Sequence, residues 1–187
     1  MRVISGTAKG RRLTPPTDRR VRPTSDRTKE ALFSILHSML GDLTGLKVLD
    51  VFAGTGNLGI EALSRGAASA VFIDSHRSSA ALVNENLRST GLYAKAEVMQ
   101  SEVSQALSKL KMRNCSFDLV FADPPYDQGL AEKFLDIISD SVLLNKESLV
   151  VVESGVNENF LLAEGVLRQV DRRIYGDTAL TFFSISD

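Results

Sequence analysis

Hydrophobic positions along the chain change period at a few clear places. Across Asp26–Leu40, the residues Ala31, Leu32, Ile35, Leu36, Met39 and Leu40 recur at steps of three and four, which predicts a helix. Thr24 and Ser25 precede it as candidate caps, and His37 falls off the apolar stripe onto the surface. Residues 46–51 then form a short apolar run ending in an acid and a glycine loop, the pattern of a buried strand. Beyond it helices are expected at 58–65, 78–89, 103–112 and 130–138, alternating with strands at 70–74, 96–99, 117–122 and the valine-dense 149–152. Such alternation implies a doubly wound, mostly parallel sheet. After Gly165 two β-rich runs, 166–174 and 179–185, flank Tyr175-Gly176-Asp177-Thr178 and read as a C-terminal hairpin that adds an antiparallel strand at one side.

Before the first helix, Val3-Ile4-Ser5-Gly6 and Lys9-Gly10-Arg11-Arg12-Leu13 read as short strands around glycine turns, and Pro15, Pro16 and Pro23 then break the chain. The expected division is an N-terminal β-hairpin arm over 1–25 and an α/β domain over 26–187, together one compact unit. Composition agrees: 187 residues at 43% hydrophobic content can bury a real core, which excludes a disordered chain. A single cysteine, Cys115, allows no internal disulfide and suits a reducing compartment. No run approaches the ~20 apolar residues of a membrane span, and Met1–Gly6 lacks the apolar stretch of a signal peptide. A cytoplasmic, monomeric protein without membrane contact is expected.

Charge adds a partner class. The overall net charge of −1 combines +6 within residues 1–30 and −7 over the remainder. The arm supplies Arg2, Lys9, Arg11, Arg12, Arg19, Arg20 and Arg22, with Arg27 just beyond it. A basic arm on an acidic body suits a phosphate-rich partner, because each neutralised phosphate releases counterions. A solvated arm that binds nothing carries the same charges.

The richest chemistry lies in Asp50-Val51-Phe52-Ala53-Gly54-Thr55-Gly56-Asn57-Leu58-Gly59. Gly54, Gly56 and Gly59 satisfy G-x-G-x-x-G between a strand and a helix, and Asp74 follows about 20 residues on. Taken alone, that fits a dinucleotide site with Asp74 on a ribose diol. Asp50 tips the choice, since a carboxylate at the strand end repels a pyrophosphate but suits the ammonium and sulfonium of S-adenosylmethionine. The D-x-x-x-G-x-G arrangement resembles the first motif of class I methyltransferases. Cofactor contacts are expected from Asp50, Phe52, Ala53, Gly54, Thr55, Gly56, Leu58, Gly59, Asp74 and Ser75. Ser101, Glu102 and Val103 follow the third strand, so topology sets them near the adenine; Ser101 or Glu102 could equally cap the next helix.

Asp123-Pro124-Pro125-Tyr126 ends the fourth strand in a rigid turn. It offers a planar, amino-bearing base two acceptors, the Asp123 carboxylate and the Pro124 carbonyl, and an aromatic face on Tyr126. This is the [DN]-P-P-[FYW] pattern of methyltransferases acting on amines conjugated to planar systems. A delocalised amine is a poor nucleophile, so alignment of its lone pair is the main requirement and proton acceptance comes second. No His, Cys or acidic cluster has metal-ligand spacing, and no catalytic metal is expected.

Arg2–Gly6, Lys9–Leu13 and the segment from Arg22 to Phe33 resemble the N-terminal signature of the RsmD family; the glycine loop, Asp123–Tyr126 and Arg173–Thr178 fall where that family has them. The resemblance covers nearly the whole chain. It implies a class I methyltransferase fold and methyl transfer from S-adenosylmethionine, yielding S-adenosylhomocysteine, to N2 of one guanine in 16S rRNA within the assembled small subunit. It also implies an arm projecting as a hairpin to hold RNA phosphates, and a base that leaves its stack to reach Asp123. Thr24 and Arg27 match the signature, beside either the cofactor or a substrate phosphate. The same pocket would serve adenine-N6 or other amine methylation. An NAD-dependent oxidoreductase is opposed by Asp50, and a catalytically silent RNA-binding module is the remaining alternative.

Overall fold

The computed structural model describes residues 1–16, 26–126, 128–139, 142–160 and 167–185. Twelve main elements follow one another: α1 (Asp26–Leu40), β1 (Lys47–Val51), α2 (Asn57–Ser64), β2 (Ser69–Asp74), α3 (Arg77–Thr90), β3 (Ala96–Gln100), α4 (Val103–Met112), β4 (Phe117–Ala122), α5 (Leu130–Ser139), β5 (Leu144–Gly155), β6 (Leu167–Tyr175) and β7 (Thr178–Ile185). The strands form one sheet in the order β3-β2-β1-β4-β5-β7-β6. The first five pair in parallel, and β7 is antiparallel to both β5 and β6. The expected doubly wound sheet with a terminal hairpin is therefore present. The hairpin adds two strands rather than one, with β7 inserted inside β6. Its turn closes over Gly176 and Asp177 with Gly176 at φ 62°, as tight hairpins require.

Strands β1, β4 and β5 read as continuous apolar runs because both of their faces are covered. Alternate residues serve opposite layers. Val48, Leu119, Phe121 and Val151 join a core under α1, α2 and α3, whereas Leu49, Val120, Val150 and Val152 join one under α4 and α5. The order of the strands reverses between β1 and β4, so the turns leaving those strands flank one crevice at the carboxyl edge.

Helix α2 departs from ordinary amphipathic design, for every one of its residues is buried. Its apolar positions face the sheet, while Asn57, Glu61 and Ser64 form a polar stripe at helical spacing. The N-terminal segment covers that stripe. Glu61 accepts from the backbone N–H groups of Ile4 (2.8 Å) and Ser5 (3.0 Å). Ser64 accepts from Ala8 N–H (2.9 Å) and donates to Ser5 O (2.6 Å). Val3, Ala8 and Leu13 enter the core.

The expectation of a projecting hairpin thus needs correction for the described residues 1–16. Its two sides do pair, through Val3 N–H to Arg11 O (2.9 Å), Gly10 N–H to Val3 O (2.9 Å) and Leu13 N–H to Met1 O (3.3 Å) around an Arg2–Arg12 bridge, but its turns lie against α2 instead of projecting. At Gly6 (φ +84°) an added Cβ would stand 1.8 Å from Ser64 O, so the close approach itself demands glycine. Thr24, Ser25 and the expected boundary at residue 25 lie outside the described residues.

Candidate functional site

Acidic side chains end four neighbouring strands: Asp74 on β2, Asp50 on β1, Asp123 just past β4 and Glu153 in β5. Pairing of Val51 with Ala122, and of Ala122 with Val152, brings Asp123 beside the end of β1 on one side and Glu153 on the other. Asp123 N–H reaches Val51 O at 3.4 Å, a long contact that extends the ladder into the turn.

Asp50 is buried at 3% exposure, and its Oδ2 accepts the Gly59 N–H at 2.8 Å. Gly59 is the third residue of α2, so the carboxylate also faces the positive end of that helix. Burial pushes the Asp50 carboxyl up to about 7; the Gly59 N–H opposes the rise and the Asp74 charge adds to it. A Cβ on Gly59 would stand 2.4 Å from the Phe72 ring and 3.0 Å from Asp50 Oδ2, so a side chain there is excluded.

The loop between β1 and α2 is pinned at several points. Asp74 Oδ2 accepts from Gly54 N–H (2.9 Å) and its Oδ1 from His76 N–H (2.9 Å). Ala53 N–H donates to Ile73 O and Gly56 N–H to Ala53 O. Gly54 and Gly56 have φ of 57° and 75°, as does Phe52 at 59°, an uncommon conformation for a residue with a side chain. A Cβ on Gly54 would meet only Phe52 O, at 3.9 Å, so the space beside it is open. Thr55 and Leu58 are buried, Leu58 within the core under the helices.

Ser101 N–H donates to Asp74 O at 3.1 Å, which brings the turn after β3 to the same edge. Ser75 and Glu102 are exposed; Glu102 occupies the cap position of α4 without a side-chain capping bond, and Val103 packs partly into the core.

In the segment after β4, Pro124 is buried, Pro125 exposed, and Asp123 and Tyr126 half-buried. Burial raises the Asp123 carboxyl well above the ordinary aspartate value, and the Glu153 and Asp50 charges push the same way. Tyr126 donates to Glu153 Oε1 at 3.1 Å and lies 3.3 Å from Thr178 Oγ1. Its hydroxyl is also raised, by burial and then by Glu153.

Glu153 and Thr178 are site residues that sequence reasoning missed. Glu153 carried a usable signal, an acid at the end of a central strand like Asp50 and Asp123. Thr178 carried its place after the hairpin turn, at the end of the Arg173–Thr178 stretch that matches the family.

Of the expected RNA contacts, Arg2, Lys9, Arg11, Arg12 and Arg27 are exposed, with Arg2 paired to Asp26 at 3.2 Å. Arg19, Arg20 and Arg22 lie outside the described residues. Lys29, by contrast, is fully buried, and desolvation lowers its ammonium below the usual lysine value. It donates to Arg2 O (2.6 Å) and Asn57 Oδ1 (2.7 Å) and pairs with Glu61 at 3.2 Å. Among the described residues no group of three or more His, Cys, Asp or Glu is arranged to hold a metal ion, and no helix is long and apolar enough to cross a membrane.

The family described as conserved hypothetical protein 95 matches residues 1–184. Ribosomal RNA small subunit methyltransferase D of Escherichia coli (strain K12) is 37% identical over 183 residues, covering 94% of this chain and 89% of that protein. The protein of that name from Haemophilus influenzae is 31% identical, covering 88% of this chain and 83% of its own. Among solved structures, the Escherichia coli methyltransferase candidate yhhF superposes with a TM-score of 0.85 at 32% identity, covering 99% of this chain and 97% of the other. Matched from the N-terminal segment through the terminal hairpin, the chain belongs to the RsmD family of ribosomal RNA small subunit methyltransferases.

Proposed function

We propose that this protein transfers a methyl group from S-adenosylmethionine to the exocyclic N2 of a guanine in 16S rRNA, in the cytoplasm, acting as a monomer on the assembled small subunit. The observation that carries the reading is the turn Asp123–Tyr126 leaving β4 immediately beside the glycine loop that leaves β1. The donor set fits the cofactor. A row of carboxylates suits a ligand with an ammonium and a sulfonium and no phosphate, and the open space at Gly54 lets backbone approach it. In this reading Asp50 attracts the ammonium, Asp74 accepts from the ribose hydroxyls, and Ser101, Glu102 and Val103 border the adenine.

When bound, S-adenosylmethionine supplies an electrophilic methyl group. The protein's task is to aim the amine. Asp123 and the Pro124 carbonyl accept its two N–H groups and turn the lone pair toward the methyl, while Tyr126 stacks on the base. The bond from nitrogen to the methyl carbon forms as the carbon–sulfur bond breaks, and one proton then leaves the nitrogen. Burial and neighbouring charge give Asp123 a raised affinity for that proton. Basic residues on the outer side of the N-terminal segment, Lys9, Arg11 and Arg12 among them, face RNA phosphates.

The test incubates the protein with methyl-labelled cofactor and undermethylated small subunits, beside naked 16S rRNA and DNA. Label is expected in N2-methylguanosine. Label in N6-methyladenine would keep the cofactor and Asp123 but change the substrate. Asp123→Ala should abolish transfer while binding S-adenosylhomocysteine as the parent does; equal turnover in the variant would remove Asp123 from catalysis.

A further inference from the structure

Two fully buried side chains, Lys29 and Asn86, each touch the N-terminal segment with one hand and the glycine loop with the other. Lys29 Nζ donates to Arg2 O at 2.6 Å and to Asn57 Oδ1 at 2.7 Å. Asn86 Oδ1 accepts Thr14 N–H at 2.7 Å, and its Nδ2 donates to Thr55 O at 3.0 Å. Both ends of the segment, at Arg2 and at Thr14, are thus joined through a single side chain to the two residues that flank Gly56. At the loop's tip Thr55 Oγ1 also lies 3.6 Å from Met1 Sδ.

We propose that Lys29 and Asn86 are positioning residues through which the docked N-terminal segment sets the shape of the cofactor loop, so that docking of residues 1–14 and binding of S-adenosylmethionine or S-adenosylhomocysteine strengthen each other. The inference rests on the glycine loop being the cofactor site.

Three features support it. The loop holds left-handed backbone at Phe52, Gly54 and Gly56, a shape with intrinsic cost that its surroundings must maintain. Its two outermost supports on this side are an ammonium and an amide that each also hold backbone of the N-terminal segment; undocking takes Thr14 from Asn86 and Arg2 O from Lys29, which keeps Glu61 alone as its second anchor. Asn57 Nδ2, buried at the helix end of the loop, has no hydrogen-bond partner among the described residues. The other end of the same amide, Oδ1, is held by Lys29, so a movement of the Asn57 side chain bears on Lys29 and through it on Arg2 O. By reciprocity, a ligand that selects one loop shape must bias docking to the same extent.

The experiment uses the full chain. Hydrogen exchange of the peptides covering residues 1–14 is followed with and without saturating S-adenosylhomocysteine. Slower exchange with ligand is expected at Ile4, Ser5 and Thr14, whose N–H groups bond Glu61 and Asn86. A segment that serves only as core would exchange equally in both states, and that result overturns the proposal. Gly6→Ala supplies the converse test, because its methyl meets Ser64 O and lifts the turn, remote from the loop. Calorimetry should show affinity for S-adenosylhomocysteine weakened about tenfold, within the usual range of coupling between sites.

Gly10→Ala has the same positive φ but nothing within 4 Å of its added methyl, and it should bind as the parent does. Parent-like affinity in Gly6→Ala counts against the proposal while leaving the cofactor site standing. If Gly6→Ala does not fold, the exchange measurement on the parent decides alone. Failure of the parent to bind S-adenosylhomocysteine at all overturns the cofactor reading, and this inference with it.

Discussion

At the residue scale, Asp50 carries the sharpest conflict between stability and function. A carboxyl raised from 3.8 to about 7 by burial costs nothing below pH 4, and its penalty grows until pH 7, above which it is constant. Asp50→Asn keeps an acceptor for the Gly59 N–H and removes the buried charge. It should therefore stabilise the fold by on the order of a few kcal/mol at pH 8, with a smaller gain at pH 5; thermal unfolding at the two pH values checks this. The proposed ammonium contact acts in the opposite sense, since only ionised Asp50 attracts a cation. Affinity for S-adenosylmethionine should fall about tenfold between pH 8 and pH 6, as the ionised fraction drops across a value near 7. Calorimetry showing equal affinity at both would detach Asp50 from the ligand. Asp50, Asp74 and Asp123 were legible in the sequence because glycine and proline turns stand next to them or at a fixed distance. Glu153 offered only its place at the end of a valine-rich strand, and its relation to Asp123 exists only once β5 lies beside β4.

Among the elements, α2 shows how a local pattern can mislead. Asn57, Glu61 and Ser64 share one helical face and would ordinarily meet water. Here Glu61 and Ser64 meet backbone N–H and C=O groups of a segment with little regular structure of its own, which must place its hydrogen bonds somewhere, and Asn57 meets the Lys29 ammonium. Lys29 neutralises the buried Glu61, and Arg65, over the Phe33 ring at 4.6 Å, adds a second cation at 2.8 Å. Lys29→Met removes one partner and leaves Glu61 buried with its charge. The variant should be less stable by about 3–5 kcal/mol, the usual cost of breaking a buried pair, read from the urea midpoint. A shift within experimental error would show that Arg65 and the two amide donors suffice. The helix and strand periods were otherwise plain in the chain, apart from the insertion of β7 and the length of β5, which runs Leu144–Gly155 where only the valine-dense 149–152 was expected because its flanks Asn145, Lys146, Glu147, Glu153 and Ser154 are polar. No linear pattern says that a terminal hairpin will enter a sheet with its second strand inside.

On the scale of the whole molecule, charge and packing divide the N-terminal segment between them. Its apolar residues Val3, Ala8 and Leu13 face inward, while Lys9, Arg11 and Arg12 face out. Replacing Arg11 and Arg12 with alanine should weaken rRNA binding and reduce its salt dependence. The log–log slope should fall by about 0.9 for each phosphate no longer neutralised on a duplex, and by about 0.7 on a single strand. An unchanged slope in filter binding across a salt series would take these residues out of the interface. Docking of the segment has a further consequence for how the protein comes into being. Its partners Glu61, Ser64 and Asn86 lie between 56 and 72 residues downstream of the groups they bind. During synthesis these groups must therefore wait for their partners until α2 and α3 have followed, and pairings of such long range are slow to close. A segment made before α2 can settle only after it.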